Sequence, residues 1–481
     1  MVAEIKSSRE LMEFLSRENI RFIDLQFTDI LGRFHSLTVT RNIINENLFE
    51  KGVPKLDGSS IKGFTDISDS DLLLKPDLST FALLPWWTGE YKAGRVICDI
   101  YLGYNRGRLT KDPRYVAQKT EEYLREHGFD ACYIGPEVEF FVFEKVWWDV
   151  SIPSRGIGYY IDSSEAPWDS KSPSQDYKIR IKDGYLPSLP QDTLVEFRNN
   201  VSRILEDYFK IIVDAHHHEV ATAGQCEIDL RHDTLKKIAD NVQTYKYVVK
   251  NVAKNMGLIA TFMPKPIYGD NGSGMHVHIS LWRNGVNTFY DSDDQYAELS
   301  QTARYFIGGI LEHGKALSAI VAPTTNSYKR LIAGYEAPVY LTWSKSNRSA
   351  VIRIPAYHKG RDTSTLKRIE FRAPDPSANP YLCFSAIIAA GLDGIKKKID
   401  PGDPVDENIY KLAVEKKREL GIEKLPSDLR EALQCLQSDR EFLKPVMSDE
   451  LINTWIELKL EECEQVNSIP HPYEFHLYFD I

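Results

Sequence analysis

The chain has 481 residues and a formal net charge of −10, with apolar and charged fractions of 42% and 27% that are ordinary for a globular protein. Its length suggests several domains with a core large enough to need no covalent staples, and its acidic balance excludes the basic footprint of a nucleic-acid-binding surface. Six scattered cysteines without a Cys-x-x-Cys pair read as free thiols of a reducing compartment. The opening MVAEIKSSRE has no apolar signal core, and no apolar run reaches the roughly 18 residues of a membrane span, so a cytoplasmic protein is expected.

Residues 20–40 alternate apolar and polar positions around a D-I-L-G turn and predict a β-hairpin. Residues 94–103 predict a strand. The stretch between, KLDGSSIKGFTDISDSDLLLKPDLSTFALLPWW, is rich in Gly, Ser, Asp and Pro and reads as a long loop of functional size. Residues 1–108 therefore form a small, mostly β domain, and 109–481 a larger one. Asp112 and Pro113 start a helix that Gly128 ends. A second capped helix is expected from Asp233 to Gly257, and a buried one over 379–398. Residues 149–190 read as an extended surface insertion. From 402 onward the chain reads as amphipathic helix, closing on PHPYEFHLYFDI.

Five segments carry chemistry. In YIGPEVEFFVF (133–143), Glu137 and Glu139 lie two apart on a strand and point to one face. Alone they read as a solvent-facing strip; inside a sheet they need a cation. DAHHHEVATAGQCEIDLRHD (214–233) reads as a hairpin that brings Glu219 near Glu227. Thr222 stands where a zinc-protease H-E-x-x-H would need histidine, and each of the three histidines reads as exposed or core-satisfied rather than as a ligand. In KPIYGDNGSGMHVHISL (265–281) a glycine-rich turn leads into a strand with His276 and His278 on one face. In LKRIEFRAPDPSANPY (366–381), Arg368, Glu370 and Arg372 share a strand face and suit bidentate carboxylate or phosphate contacts. Arg330, Glu336, Arg348 and Arg353 surround a Gly/Pro/aromatic segment and suit an anion site with an acidic gate. Carboxylates with few imidazoles favour Mg²⁺ or Mn²⁺ over zinc, and arginines beside a two-metal site point to phosphoryl transfer.

The segments DGSSIKGF, GPEVEFF, HHHEVATAGQCEID, GDNGSGMHVH, GYEAP, NRSAVIRIP and RIEFRAPDPSANPYLCFSA, in this order from 57 to 386, resemble those of type I glutamine synthetases. The resemblance implies an α+β fold: a small β-grasp amino-terminal domain and a larger catalytic domain with a curved antiparallel sheet and helices. It implies ATP-dependent ligation of ammonia to the γ-carboxylate of L-glutamate through γ-glutamyl phosphate, with ATP as substrate and two or more Mg²⁺ or Mn²⁺ ions per site. It also implies a dodecamer of two stacked rings, with active sites between subunits and the carboxy-terminal segment reaching the opposite ring. Glu139, Glu219 and Glu227 match the ligands of one metal; Glu137, His276 and Glu370 match those of the other. Glu139, Asn271, Gly272, Arg330 and Arg372 match the glutamate site. His278, Ser280, Arg348, Arg353 and Arg368 match ATP and phosphate contacts. Asp57, Ser60, Tyr185, Glu219 and Glu336 match the ammonium pocket, so Asp57, Glu336 and Arg348 are the expected catalytic groups.

The sequence departs from the family in places. Thr365 stands where some relatives carry a nucleotide-site lysine, with Lys367 two residues on, and Asp214 replaces a common Glu. Tyr410 lies near a tyrosine that some bacterial relatives adenylylate, but the residues after it lack the usual context, so no modification is expected. Two other readings compete: a γ-glutamyl-amine or polyamine ligase, and a non-catalytic homologue. The first would lose the ammonium pocket and the second the metal ligands, and both sets are filled.

Overall fold

The computed structural model describes residues 5, 7–87, 89–168, 177–356 and 358–480. The chain opens with α1 (Ser8–Arg17), which Ser7 caps by accepting from Glu10 N and which buries Leu11, Phe14 and Leu15. β1 (Ile20–Thr28) and β2 (Phe34–Thr40) form the expected hairpin, antiparallel from Phe22↔Thr40 to Thr28↔Phe34. α2 (Glu46–Lys51), β3 (Val53–Asp57), β4 (Asp71–Leu83) and β5 (Lys92–Leu102) follow. The five strands lie in the order β2-β1-β5-β4-β3, with β1 and β5 parallel.

One expectation fails here. The stretch read as a single long loop contains the 13-residue strand β4. Pro76, Asp77 and Ser79 are among the residues that gave the stretch its loop-like composition, and the ladder with β5 absorbs them in a register irregularity between Asp77 and Ala82. Leu72 and Leu74 on one side of it and Phe81 and Ala82 on the other are buried and hold the strand in place. The true loop is shorter, and Asp57 begins it.

In the larger domain α3 (Pro113–Glu126) is capped by Asp112, as read from the sequence. The next elements are β6 (Ala131–Phe143), β7 (Lys145–Asp149), β8 (Gly158–Asp162), α4 (Val195–Phe209), β9 (Val213–His218), β10 (Gln225–Leu230), β11 (Asp233–Thr234) and α5 (Leu235–Asn255). After them come β12 (Ile259–Thr261), β13 (Met275–Arg283), β14 (Val286–Asn287), α6 (Gln301–Glu312), α7 (Gly314–Val321) and α8 (Ser327–Arg330). The α5 helix starts two residues later than Asp233 suggested, because Asp233 pairs with Ile134 of β6 as part of β11. The insertion expected at 149–190 carries β8, which pairs with β7 in an exposed ribbon; its residues 169–176 lie outside the described residues. β15 (Tyr340–Lys345), β16 (Ala350–Ile354) and β17 (Ile369–Phe371) precede the buried helix α9 (Pro380–Lys397), and the tail holds α10 (Val414–Glu419), β18 (Glu423–Lys424), α11 (Leu429–Ser438), α12 (Asp449–Asn467) and α13 (Pro472–Tyr478).

The large sheet runs β18-β15-β16-β17-β13-β6-β10-β9, antiparallel except between β15 and β16. α9 crosses α6 closely because a Cβ on Gly309 would lie 2.1 Å from Ala390 O. The two domains share one continuous apolar core. Buried Arg114 joins them, reaching Asp77 and Asp99 of the small domain at 2.6 Å each and Asp240 of α5 at 2.9 Å. Among the described residues no helix is long and apolar enough to cross a membrane.

Candidate active site

Strand register assembles the site. On β10, Glu227 stands opposite Glu139 and Asp229 opposite Glu137 of β6. On the outer side, Glu227 faces His217 of β9. On the other flank of β6, His276 of β13 faces Glu137. His278 then faces Glu370 of β17, and Glu370 faces Arg353 of β16. Residues far apart in sequence thus make one row across six strands, because side chains on one face of a sheet repeat every second residue.

The row separates into two ligand groups. His217, Glu219 and Glu227 bring donor atoms within 4.8 Å of one another, as do Glu137, His278 and Glu370. Glu139, expected in the first group, is held close by: its Oε2 accepts from Gln225 Nε2 at 2.9 Å and from Gly274 N at 3.0 Å. His276, expected in the second, reaches Glu137 at 3.3 Å and Glu370 at 3.8 Å. His278, matched to ATP, is nearer still, with Nε2 at 2.8 Å from Glu137. The three-histidine run divides by role. His218 is core-satisfied, contacting Gly184 O and Glu165; His216 pairs with Arg198 and Asn199; His217, read from the sequence as exposed or core-satisfied, lies 3.5 Å from Glu219 and 3.4 Å from Glu227.

Electrostatics suit a cation. Burial, then the neighbouring charges of Glu219 and Glu137, push Glu139 well above the usual carboxylate range. Burial, then Glu137, Glu219 and Glu139, does the same to Glu227. Burial opposes the charge on Glu137, but His278 and His276 outweigh it and hold that carboxyl well below its usual range. Burial and Arg372 lower His276 to about 4, leaving a neutral imidazole able to donate a lone pair. Crowded like charges of this kind are relieved by a divalent ion, and the oxygen-rich donor set fits Mg²⁺ or Mn²⁺.

Two cavities meet at the row. The first, about 560 Å³, is lined by Glu137, Glu139, Glu219, Glu227 and His276 and by Tyr185, Asn271, Gly272, Arg330, Glu336, Arg348, Arg353 and Arg372. The second, about 380 Å³, is lined by His278, Ser280, Arg368, Thr365, Asp214, Tyr133 and Trp282. Glu137 and Asp229 belong to both. Buried Arg330 donates to the carbonyls of Ala373 and Pro374. Gly272 lets the Asn271 turn pass close to it, since a Cβ there would lie 3.1 Å from Arg330 Cγ and 2.5 Å from Pro264 O. Arg353 and Arg372 both bond Glu370, the latter at 3.0 Å. Lys367 borders the second cavity, but its ammonium is buried against Ala297 O at 2.6 Å and Glu298 at 4.0 Å.

Asp57 and Ser60 do not line either cavity. They sit at the end of β3, where Asp57 accepts from Ser59 N, Ser59 Oγ and Ser60 Oγ. Sequence reasoning passed over Asp229, Gln225 and Asp270. The alternation 225–227–229 on β10 was the available signal for the first two. Asp270 gave none, because its role depends on three segments meeting.

A small mixed sheet fused to a large, mostly antiparallel one, with a cleft that sets carboxylates against arginines, defines a two-domain protein with one charged central site. Residues 19–103 match the model of the glutamine synthetase beta-grasp domain and residues 110–478 that of the glutamine synthetase catalytic domain. The chain is 56% identical to a glutamine synthetase of Sulfolobus acidocaldarius over 99% of both chains, and 47% identical to one of Aquifex aeolicus over 98% of both. It superposes on a cryo-EM structure of Plasmodium falciparum glutamine synthetase with a TM-score of 0.88 at 31% identity, covering 99% of each chain. The chain belongs to the glutamine synthetase family.

Proposed function

We propose that this chain is a glutamine-forming ligase that joins ammonia to the γ-carboxylate of L-glutamate at the expense of ATP. The observation that carries this reading is the row of acids shared by two cavities, one suited to an amino acid and the other to a nucleotide, with Glu137 at their junction. A free carboxylate is a poor acyl donor because oxide would have to leave; phosphorylation converts it into an acyl phosphate with a good leaving group.

Glu139, Glu219 and Glu227, with His217 beside them, and Glu137, His276 and Glu370, with His278 beside them, would hold Mg²⁺ or Mn²⁺. Bound there, the ions would neutralise phosphate and carboxylate charge. The chain's own residues do the rest. Asn271, Gly272, Arg330 and Arg372 orient glutamate. Ser280 and Arg368 face the nucleotide cavity, and the Tyr133–Trp282 pair, 5.5 Å between centroids, offers it an aromatic wall. Arg348 and Arg353 neutralise the transferring phosphoryl group. Glu336 covers the cleft and keeps water from the acyl phosphate. Asp57, with Ser60, Tyr185 and Glu219, favours NH₄⁺ and accepts its proton. The exposed place of Asp57 outside the cleft supports a site completed by the small domain of a neighbouring subunit, as in a dodecamer. The exposed aromatics Tyr473, Phe475, Tyr478 and Phe479 of the tail support a docking role between rings. We place the protein in the cytoplasm.

The test is ADP release by the purified protein with glutamate and a panel of acceptors: ammonium, methylamine, ethylamine and a polyamine. Turnover highest with ammonium, and glutamine as product, is expected. Ammonium giving no more than buffer would overturn the reading.

A further inference from the structure

Glu336 belongs to a largely exposed segment, 332–336, and adopts a left-handed backbone conformation, φ +57°. A non-glycine residue persists in that conformation only where its surroundings hold it. The half-buried residue of the segment is Tyr335. Two ammonium groups meet its ring: Lys182 Nζ lies 3.9 Å from the centroid and Lys265 Nζ 4.1 Å. Lys182 Nζ also donates to Gly334 O at 3.3 Å.

Both lysines are fixed elsewhere. Lys265 N donates to Asn326 Oδ1 at 2.7 Å, Asn326 Nδ2 returns a bond to Lys265 O at 3.0 Å, and Lys265 Nζ donates to Asp270 O. Lys182 N donates to Asp270 Oδ1 at 3.0 Å, the same oxygen that accepts from Asn271 N at 2.9 Å. Asp270 itself is fully buried. One lysine therefore sits on the segment that presents Tyr185, the other on the segment that leads to Asn271 and Gly272, and one buried aspartate ties the two together. Burial and the nearby charge of Lys182 lower Lys265 to about 8 against the pull of Asp270, so it stays largely charged at neutral pH.

We propose that Lys182 and Lys265 are positioning residues that clamp the 332–336 segment, a flap at the edge of the cleft, through the ring of Tyr335. They set Glu336 over the cleft and couple its closure to the order of the Asn271 turn. This rests on the reading of Glu336 as the cover of the site. The consequence of a loosened clamp is chemical. A water oxygen attacks the γ-carbonyl carbon of the acyl phosphate, the carbon–oxygen bond to phosphate breaks, and glutamate and inorganic phosphate leave with the proton passing to solvent. ATP is then consumed without an amide. A cation–π contact is worth about two- to fivefold in flap opening at an exposed group such as Lys182, and up to about thirtyfold where the pair is desolvated.

The experiment measures ADP released per glutamine formed, together with KM for glutamate, on assembled protein checked by size and circular dichroism. The parent should give a ratio near one. Lys182→Met with Lys265→Met, and separately Tyr335→Leu, should raise it to about two or more and raise KM for glutamate. Tyr335→Phe and Lys182→Arg should stay near the parent, because ring and cation are retained. A ratio of one in the double Met variant, or Tyr335→Phe as damaging as Tyr335→Leu, overturns the clamp. If the double variant does not assemble, the pair Lys182→Met and Lys182→Arg decides: equal ratios overturn it. Glu336→Ala, which removes the covering side chain, separates the two readings, since a parental ratio and KM in that variant would refute the cover role itself rather than the clamp.

Discussion

Replacing Asp270 by asparagine tests how the cleft is held together. The Asp270 carboxylate is fully buried and accepts three backbone N–H groups: Lys182 N at 3.0 Å and Asn271 N at 2.9 Å on Oδ1, and Thr222 N at 2.8 Å on Oδ2. Asn keeps the shape but has only one acceptor oxygen. Its better orientation turns that oxygen to Lys182 and Asn271 and sets its NH₂ against Thr222 N. One buried donor is then unpaired, at a cost of about 1–3 kcal/mol, and two charge-assisted bonds become neutral ones at a loss of roughly 0.5–1 kcal/mol each. The total is about 2–5 kcal/mol. If about 3 kcal/mol of it falls on the order of these three segments, kcat/KM for glutamate drops on the order of 100-fold. KM for ATP should move much less, because Asp270 lies away from the nucleotide cavity. The assay is steady-state ADP release at varied glutamate and varied ATP, with oligomer size as a control. Asp270→Asn within threefold of the parent for glutamate would refute the account, and so would equal losses for both substrates.

Asp57→Ala should raise KM for ammonium far more than KM for ATP; a uniform loss would point to misassembly instead. Tyr410→Phe removes the bond from its hydroxyl to Ala337 O, 2.6 Å long and next to Glu336. A loss of about 0.5–1.5 kcal/mol predicts a rise of up to roughly tenfold in KM for glutamate, and an unchanged KM would show that the bond does not hold the flap. His313 bridges Asp393 at 2.9 Å and Asp439 at 2.8 Å. Burial opposes its charge, but the two carboxylates outweigh that and raise its pKa, while Asp393, whose charge burial also opposes, is lowered by Lys397 and His313. The histidine's contribution is full below its ordinary pKa and disappears as pH rises through the raised one; that of Asp393 disappears only in acid. The Tm difference between the parent and His313→Gln should therefore be largest near about pH 5–6 and shrink towards about pH 9. A difference independent of pH would contradict the pairing. Removing divalent ions with a chelator should abolish turnover, and added Mg²⁺ or Mn²⁺ should restore it.

The sequence by itself determined much of the frame. Residue spacing showed that Glu137 and Glu139 share a strand face, that 214–233 folds back on itself, and that Asp112-Pro113 starts a helix, because each depends only on local periodicity or capping. The ordered set of motifs identified the family. The sequence misjudged β4, where Pro76, Asp77 and Ser79 contribute to a loop-like composition that the ladder with β5 tolerates. It also placed the start of α5 at Asp233, which pairing with Ile134 draws into β11. Only the tertiary structure decided which acids stand opposite one another. The register of β6 against β10 and β13 sets Glu139 beside Glu227 and Glu137 beside His276, and a shift of one residue would turn each row to the other face. The same holds for Asp270 and for the two lysines on Tyr335. The contacts that join separate segments, Asp270 with Thr222 and Lys182 and Tyr335 with Lys182, span 48–153 residues of the chain, so no local pattern marks them. Their roles arise where separate loops converge on one buried carboxylate, which only the packed sheet brings about.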